Sequence, residues 1–144
     1  MAKSVRDVMT GNPRSIDSSA SVVEAARLMR EADIGSLPVT DGEEPVGVIT
    51  DRDLTTRVVA EAADPATTSV GDVYSRDLIC VAPDDSLDEA VKTMARHQVR
   101  RLPVVEGGKL VGVVAQADIA LAANEKETGA LVEAISKPSA ADRS

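Results

Sequence analysis

The feature that most constrains this chain is an internal repeat. Residues 5–54 align without a gap on residues 70–119, at an offset of 65, and 15 of the 50 aligned pairs are identical. The identities cluster, as in Leu37-Pro38-Val39 on Leu102-Pro103-Val104 and in Asp53 on Asp118. Repetition at this period indicates one supersecondary unit per copy, which buries its apolar face against a neighbour.

Each copy predicts the order β-α-β-β-α after a short helical lead-in. In the first copy we expect a strand near residues 14–16, a helix opened by Ser21, strands over 37–40 and 46–49, and a closing helix over 51–62. Ser21 and Ser86 are each followed three residues later by Glu, which is the pattern of a capping box. Gly107-Gly108 marks a two-residue hairpin turn in the second copy.

The repeat predicts an α/β (α+β) fold of two tandem β-α-β-β-α units packed about a pseudo-twofold axis. The predicted boundaries are 1–64 for the first repeat, 65–69 for a linker, 70–123 for the second repeat and 124–144 for a short helix and tail. A half of this size has little core of its own, so the two copies are expected to pack together and to form ligand clefts at their interface.

Composition excludes several classes of function. The net charge of −8 disfavours DNA or RNA, whose binding draws affinity from cations on phosphates, and one Tyr with no Trp or Phe leaves no stacking platform. No apolar stretch approaches the roughly 20 residues that span a bilayer, and no signal peptide is apparent. We therefore predict a cytoplasmic protein that binds neither membrane nor nucleic acid polymer.

The sharpest local motif is Gly47-Val48-Ile49-Thr50-Asp51-Arg52-Asp53, where a strand ends and a helix begins. The first N–H groups of a helix suit phosphate or ribose oxygens, and the carboxylate of Asp53 suits a ribose diol. Gly47 allows another backbone or a ligand to come close. A purely structural interpretation stands beside this one, because Thr50 and Asp53 also fit a helix cap. The second copy lacks the hydroxyl, with Ala115 at that position, but keeps Asp118.

Two adjacent cations, Arg100 and Arg101, precede a buried strand in the second copy. Arginine makes forked contacts to phosphate, although two solvated surface cations would look the same in sequence. The first copy has Gly35 and Ser36 at these positions, after Ile34.

No catalytic or metal constellation can be assembled from the sequence. The chain has a single histidine, His97, without partners at ligand spacing, and no Ser-His-Asp pattern. Its one cysteine, Cys80, fits a small buried hydrophobic residue. We therefore predict a protein that is not an enzyme and holds no metal.

The order of motifs, Ser-x-x-Glu, Leu-Pro-Val and Gly-Val-Ile-Thr-x-x-Asp-Leu, resembles the cystathionine β-synthase (CBS) domain. Two copies in tandem resemble a CBS pair, or Bateman module, over about residues 5–123. Within that family the chain is most similar to small stand-alone bacterial proteins, including the actinobacterial hypoxic-response type.

The resemblance implies an adenosine-type ligand, such as AMP, ADP or ATP, bound without a permanent cofactor. It assigns the ribose to Asp53 and a sugar or phosphate oxygen to Thr50. The site it implies draws on both copies: Val48, Thr50, Asp53, Leu78, Ile79, Val99, Arg100 and Arg101. A second, weaker cleft would use Ile34, Gly35, Ser36 and Asp118, and would lack both the threonine and the cations.

The favoured interpretation is a non-catalytic sensor that binds an adenine nucleotide between the repeats. The alternative is a dimeric interaction module whose clefts are vestigial and whose protein partner is unknown. A homodimer is expected in either case, as is common in the family. The apolar residues of 22–29 and 87–94 would form its surface unless they are wholly internal.

Overall fold

The computed structural model describes residues 3–127, which divide into two compact units. The first unit comprises Arg14–Ile79 and Gly108–Leu110. The second contains the described residues of 3–13, 80–107 and 111–127. Each unit therefore takes the lead-in of the other sequence repeat, since residues 70–79 pack with the first copy and residues 3–13 with the second.

The first unit is a three-stranded sheet with helices. Strand β2 (Ile16–Asp17) pairs parallel with β3 (Ser36–Asp41), and β3 pairs antiparallel with β4 (Glu44–Thr50). The helix α2 (Val22–Ala32) lies between β2 and β3 in the chain, and α3 (Asp51–Leu54) follows β4 directly. The predicted β-α-β-β-α order is confirmed for this copy.

The second unit repeats this plan. It contains α1 (Val5–Val8), β1 (Thr10–Gly11), α4 (Leu87–His97), β5 (Arg101–Glu106), β6 (Lys109–Ala115) and α5 (Gln116–Glu127), with strand order β1-β6-β5. The second copy's counterpart of the strand predicted near residues 14–16 is reduced to one parallel bridge between Val81 and Val104. The mixed fold class is confirmed.

Two predicted helices differ from the structure. After α3 the closing helix of the first copy widens into a π-helical segment, Thr55–Val59, in which the Ala60 N–H donates to the Thr55 carbonyl at 2.9 Å. At the other end of the chain, α5 continues without a break to Glu127, past the end predicted for the second repeat at residue 123. The remainder of the short helix predicted within 124–144 lies outside the described residues.

The predicted serine caps are present. The Ser21 hydroxyl accepts from the Glu24 N–H at 3.2 Å, and the Ser86 hydroxyl accepts from the Glu89 N–H at 3.0 Å. Within the described chain, neither glutamate makes the return bond that completes a capping box. Reciprocal boxes occur instead at Ser4, which opens α1, and at Thr50, which opens α3.

The core of the first unit is built from the buried run in the middle of β3 and from alternate residues of β4. Leu37, Val39 and Ile49 are fully buried, and α2 adds Val22, Ala25 and Met29 from one face. The second copy uses Leu102, Val104, Val114, Ala90 and Met94 in the same way. Part of the apolar surface that could have formed a dimer contact is therefore internal, whereas Ala26 and Val91 stay exposed.

Gly47 allows the lead-in of the other copy to reach β4. Val48 and Ser75 exchange two backbone hydrogen bonds, at 2.8 and 3.0 Å. A Cβ on Gly47 would collide with the Ser75 carbonyl oxygen and stand 2.7 Å from the Tyr74 ring. The sequence allowed either another backbone or a ligand to come close to Gly47, and in the structure the neighbour is another backbone. Gly112 has the same role in the second unit, against Thr10.

Among the described residues, none of the helices combines the length and apolar character that crossing a membrane requires.

Candidate functional site

The candidate site is centred on the turn from β4 into α3. The Thr50 N–H donates to the Asp53 carboxylate at 3.0 Å, and the Asp53 N–H donates to the Thr50 hydroxyl at 3.0 Å. This pair is a complete capping box, so the structural role that the sequence left open is present. The same bonds fix the threonine and the carboxylate side by side at the end of a buried strand.

Asp53 is more than a cap. It is 6% exposed, one of only two polar residues recorded as buried in the described chain. The Ser75 hydroxyl lies 3.2 and 3.3 Å from its two oxygens, and Arg57 Nε lies 3.8 Å from Oδ1. A carboxylate offers about four acceptor positions, and the Thr50 N–H and the Ser75 hydroxyl use about two of them, since Arg57 is too distant for a hydrogen bond; about two positions remain for a ligand.

Arg57 is held in place by backbone as well as by charge. Its Nη1 donates to the carbonyl oxygens of Val73 and Tyr74, at 3.3 and 3.4 Å. Its side chain stays 53% exposed, against 8% for that of Asp53. The residue lies on the π-helical segment, a feature that is frequent at functional sites. The guanidinium thus stands at the outer rim of a buried carboxylate.

A second arginine lies in the same lead-in segment. Arg76 stacks on the Tyr74 ring, with its guanidinium carbon 4.8 Å from the ring centroid, and donates to the Tyr74 hydroxyl at 2.8 Å. The contact orients the only aromatic residue of the chain. The segment that reaches Asp53 through Ser75 therefore also contains a positioned cation, Arg76, that the sequence alone did not single out.

The start of β3 lies against the same turn. The Asp51 N–H donates to the Gly35 carbonyl at 2.9 Å, and Ser36 is the register partner of Thr50. A Cβ on Gly35 would stand 2.9 Å from the Asp51 carboxylate, so this position suits glycine. Gly35 and Ser36, predicted for the weaker cleft, are thus neighbours of Thr50 in the first unit.

The second unit has an equivalent turn with different chemistry. The Gln116 N–H donates to the Arg100 carbonyl at 2.8 Å, as Asp51 does to Gly35. Ala115 has no hydroxyl, so the cap at this turn is missing. Asp118 is half-buried and, in the described residues, makes no side-chain hydrogen bond or ion pair. The two aspartates that the repeat aligns therefore have unlike surroundings.

The predicted site residues fall into two groups. The first unit contains Val48, Thr50, Asp53, Leu78 and Ile79, together with Ile34, Gly35 and Ser36. The second contains Val99, Arg100, Arg101 and Asp118. The joint action of the two groups on one ligand stays a prediction.

Sequence reasoning missed Ser75 and Arg57. A signal for Arg57 existed in its spacing of four residues from Asp53, which places the two on one helical face. Ser75 had no local signal, because only the exchange of lead-ins brings it to Asp53.

A separate groove of about 400 Å³ lies along α2, α3 and the π-helical segment of the first unit. Arg27 and Arg30 are among its lining residues, and its apolar lining includes Val23, Ala26, Leu54, Val58, Val59 and Pro65. Val59 is 73% exposed, the most exposed large hydrophobic residue of the described chain. This surface is a candidate for contact with another molecule.

Neither cysteine nor metal chemistry is evident in the described residues. Burial, with a smaller contribution from Asp85, raises the pKa of the Cys80 thiol and so disfavours the reactive thiolate. No group of three His, Cys, Asp or Glu side chains lies close enough to hold a metal ion, as far as residues 3–127 are described.

Comparison with known proteins gives a consistent family. The model of the CBS domain matches residues 5–60 and 70–125. Hypoxic response protein 1 of Mycobacterium tuberculosis is 35% identical over 136 residues, which cover 94% of this chain and 95% of that protein. The predicted resemblance to a stand-alone tandem protein of this type is confirmed.

Solved structures are similar over most of the chain. A crystal structure of Hypoxic Response Protein I with two coordinated zinc ions has a TM-score of 0.76 and 36% identity, and covers 82% of this chain and 97% of its own. CBSX2 in complex with AMP has a TM-score of 0.74 and 29% identity, with coverage of 87% and 98%. The CBS pair of MJ0100, in complex with 5-methylthioadenosine and S-adenosyl-L-methionine, has a TM-score of 0.74 and 25% identity, with coverage of 88% and 100%.

Proposed function

We propose, from the premise that this chain belongs to the CBS-domain family, that it is a non-catalytic regulatory module of the cytoplasm that binds an adenine nucleotide. The observation that carries the proposal is the buried carboxylate of Asp53, fixed beside Thr50 at the end of β4 and rimmed by Arg57. The AMP and S-adenosyl-L-methionine complexes of two similar structures support an adenosine-type ligand.

The chemistry of the site fits a ribose phosphate. A diol donates two O–H bonds, and a carboxylate is the side chain that accepts both at once. Bonds to an ionised acceptor are about twice as strong as neutral ones. In this proposal Asp53 binds the ribose, Thr50 binds a sugar or phosphate oxygen, and Val48, Leu78 and Ile79 contact the base.

The second unit would supply the remaining contacts to the same ligand. We propose that Val99 adds apolar contact and that Arg100 and Arg101 bind phosphate. The equivalent set of Ile34, Gly35, Ser36 and Asp118 offers no hydroxyl at position 115 and no cation. It would therefore take at most an uncharged nucleoside.

Regulation would follow from linkage. A ligand that favours one conformation shifts the population toward it by its differential affinity. It also stabilises the folded state, by about 2.7 kcal/mol at a hundredfold excess over Kd. A chain without a catalytic constellation can act as a sensor in this way.

The test is calorimetry and thermal denaturation with AMP, ADP, ATP and S-adenosyl-L-methionine. At least one is expected to bind and to raise the melting temperature. Adenosine and 2′,3′-dideoxyadenosine form a matched pair, since they differ only in the diol, and the dideoxy compound should bind about tenfold or more weakly. If no compound binds at millimolar concentration, the proposal is wrong.

The groove beside α2 favours a second candidate function, as a dimeric interaction module. The exposure of Val59 at 73% is the observation behind it, because a large apolar residue among other apolar residues marks a contact surface. We propose that a second copy of this acidic chain covers the groove, whose arginines, Arg27 and Arg30, attract it. This proposal is compatible with the first.

Val59→Asp is expected to convert the dimer into a monomer, since it places a charge in the apolar contact. Light scattering after size exclusion would measure the mass. Ala120→Asp, an equal change of charge at an exposed position of α5, is the control and should stay dimeric. A monomeric wild-type chain, or a Val59→Asp dimer of unchanged stability, would contradict the assignment.

A further inference from the structure

We propose that Arg57 makes the Asp53 site selective for an anionic ligand, by binding its phosphate through the exposed edge of the guanidinium. The inference rests on the proposed function and extends it, because it names a residue outside the family's binding motif. It depends on three observations: how Arg57 is anchored, which of its donors remain, and what stands at the aligned position of the second copy.

The anchoring orients the guanidinium before any ligand arrives. Nη1 is held by the carbonyl oxygens of Val73 and Tyr74, and Nε lies 3.8 Å from Asp53 Oδ1. An arginine that is already oriented loses less conformational freedom when it binds a ligand. These contacts are longer than ideal, so they position the side chain without saturating it.

The remaining donors point to an anion. A guanidinium has five N–H groups, and in the described chain the bonds of Arg57 involve Nη1 and Nε only. The two N–H groups of Nη2 thus have no protein acceptor, while the side chain is 53% exposed. Paired N–H groups beside a sugar-binding carboxylate match the distribution of charge in a sugar phosphate.

A ligand phosphate at this turn needs a nearby cation, because it would otherwise be repelled by the carboxylates there. A phosphate that approaches the turn meets Asp51 and Asp53, in a chain whose net charge is −8. Asp53 is buried, so its field is screened less than that of a surface carboxylate. Arg57 is the cation that lies against Asp53 itself, and it offsets this repulsion where a neutral nucleoside would need no such help.

The aligned turn of the second copy has no arginine at the position of Arg57. At the offset of 65, Arg57 aligns with Ala122, which is 6% exposed, and Arg76 aligns with Gly11. The aspartate is nevertheless kept as Asp118. The arginine four residues after the aspartate is therefore present in the first copy and absent from the second, which separates the role of Arg57 from a general requirement of the fold.

The experiment compares AMP with adenosine by calorimetry on the full-length chain, because the two ligands differ only by the phosphate. Arg57→Gln is expected to weaken AMP binding about tenfold or more and to leave adenosine within about twofold, since a hydrogen bond to a charged group has about this effect. Arg57→Lys should recover part of the AMP affinity. Lys92→Gln, an equal loss of charge at an exposed position of α4, should change the affinity for neither ligand.

The ratio of the two affinities decides the question. Equal losses for AMP and adenosine would mean that Arg57 only supports Asp53, and unchanged AMP binding would mean that it contributes nothing; either result overturns this inference alone. A wild-type chain that binds neither compound overturns the proposed function, and this inference with it. Raised salt should weaken AMP binding less in Arg57→Gln than in the wild type.

Discussion

Gly47→Ala is expected to lower the free energy of unfolding by about 3 kcal/mol, the upper end of what overpacking costs in a filled interior. The new methyl group would collide with the Ser75 carbonyl oxygen and stand 2.7 Å from the Tyr74 ring. Neither neighbour yields easily, because Ser75 is paired with Val48 and Tyr74 is buried in the core. Urea denaturation followed by circular dichroism would measure the loss.

The chain offers a matched control. Gly11 also lies in a strand, but a Cβ there would meet no atom within 4 Å, so Gly11→Ala should be neutral or slightly stabilising. Gly112→Ala should fall between the two, because its nearest neighbour is the flexible Met9 side chain, at 2.8 Å. Equal stabilities for Gly47→Ala and Gly11→Ala would show that the lead-in does not pack on β4 as described.

The exchange of lead-ins explains which parts of the fold were predictable. The helices opened by Ser21 and Ser86 and the hairpin at Gly107-Gly108 depend on residues a few positions apart, so their sequence signals are local. The pairing of Ser75 with Val48 joins residues 27 positions apart, and no local pattern specifies it. Gly47 is the sequence signal of that contact. A glycine within a strand indicates that another group comes close, but it does not identify which segment of the chain that is.

The π-helical segment was missed for a related reason. The residues after Asp53 have the apolar spacing of an ordinary helix, and the sequence contains no glycine or proline between 51 and 62. In the structure, Val58 is buried in the core while Val59 is exposed. We attribute the wider turn to the tertiary packing that buries Val58 and leaves Val59 exposed, because such packing overrides the local preference for a regular α-helix.

The candidate site was predictable in part. Thr50 and Asp53 stood out because strand, hydroxyl and carboxylate follow one another at the spacing of a helix start. The ambiguity between cap and ligand was also real, since the structure contains the complete cap. The two interpretations are not exclusive, because a capped carboxylate keeps acceptor positions that a ligand can use.

Asp53→Ala is expected to lower both stability and binding, and the two effects can be separated. Removal of the carboxylate leaves the Thr50 N–H and the Ser75 hydroxyl without their acceptor in a largely buried place, which costs about 2 kcal/mol of unfolding free energy. The loss of two bonds from the ribose to an ionised group should weaken adenosine binding about 100-fold. Denaturation and calorimetry on the same protein would measure the two quantities.

Two further variants assign the effects to their causes. Asp53→Asn keeps an oxygen acceptor for the Thr50 N–H but removes the charge, so it should retain more of the stability than Asp53→Ala while still binding adenosine poorly. Asp118→Ala tests the aligned residue, which makes no side-chain hydrogen bond in the described residues, and should change stability by less than about 0.5 kcal/mol. If a folded Asp53→Ala variant keeps the full affinity for adenosine, the carboxylate has a capping role only. An Asp118→Ala variant that loses binding instead would move the ligand to the second unit, where neither a capping hydroxyl nor a cation at the position of Arg57 accompanies the carboxylate.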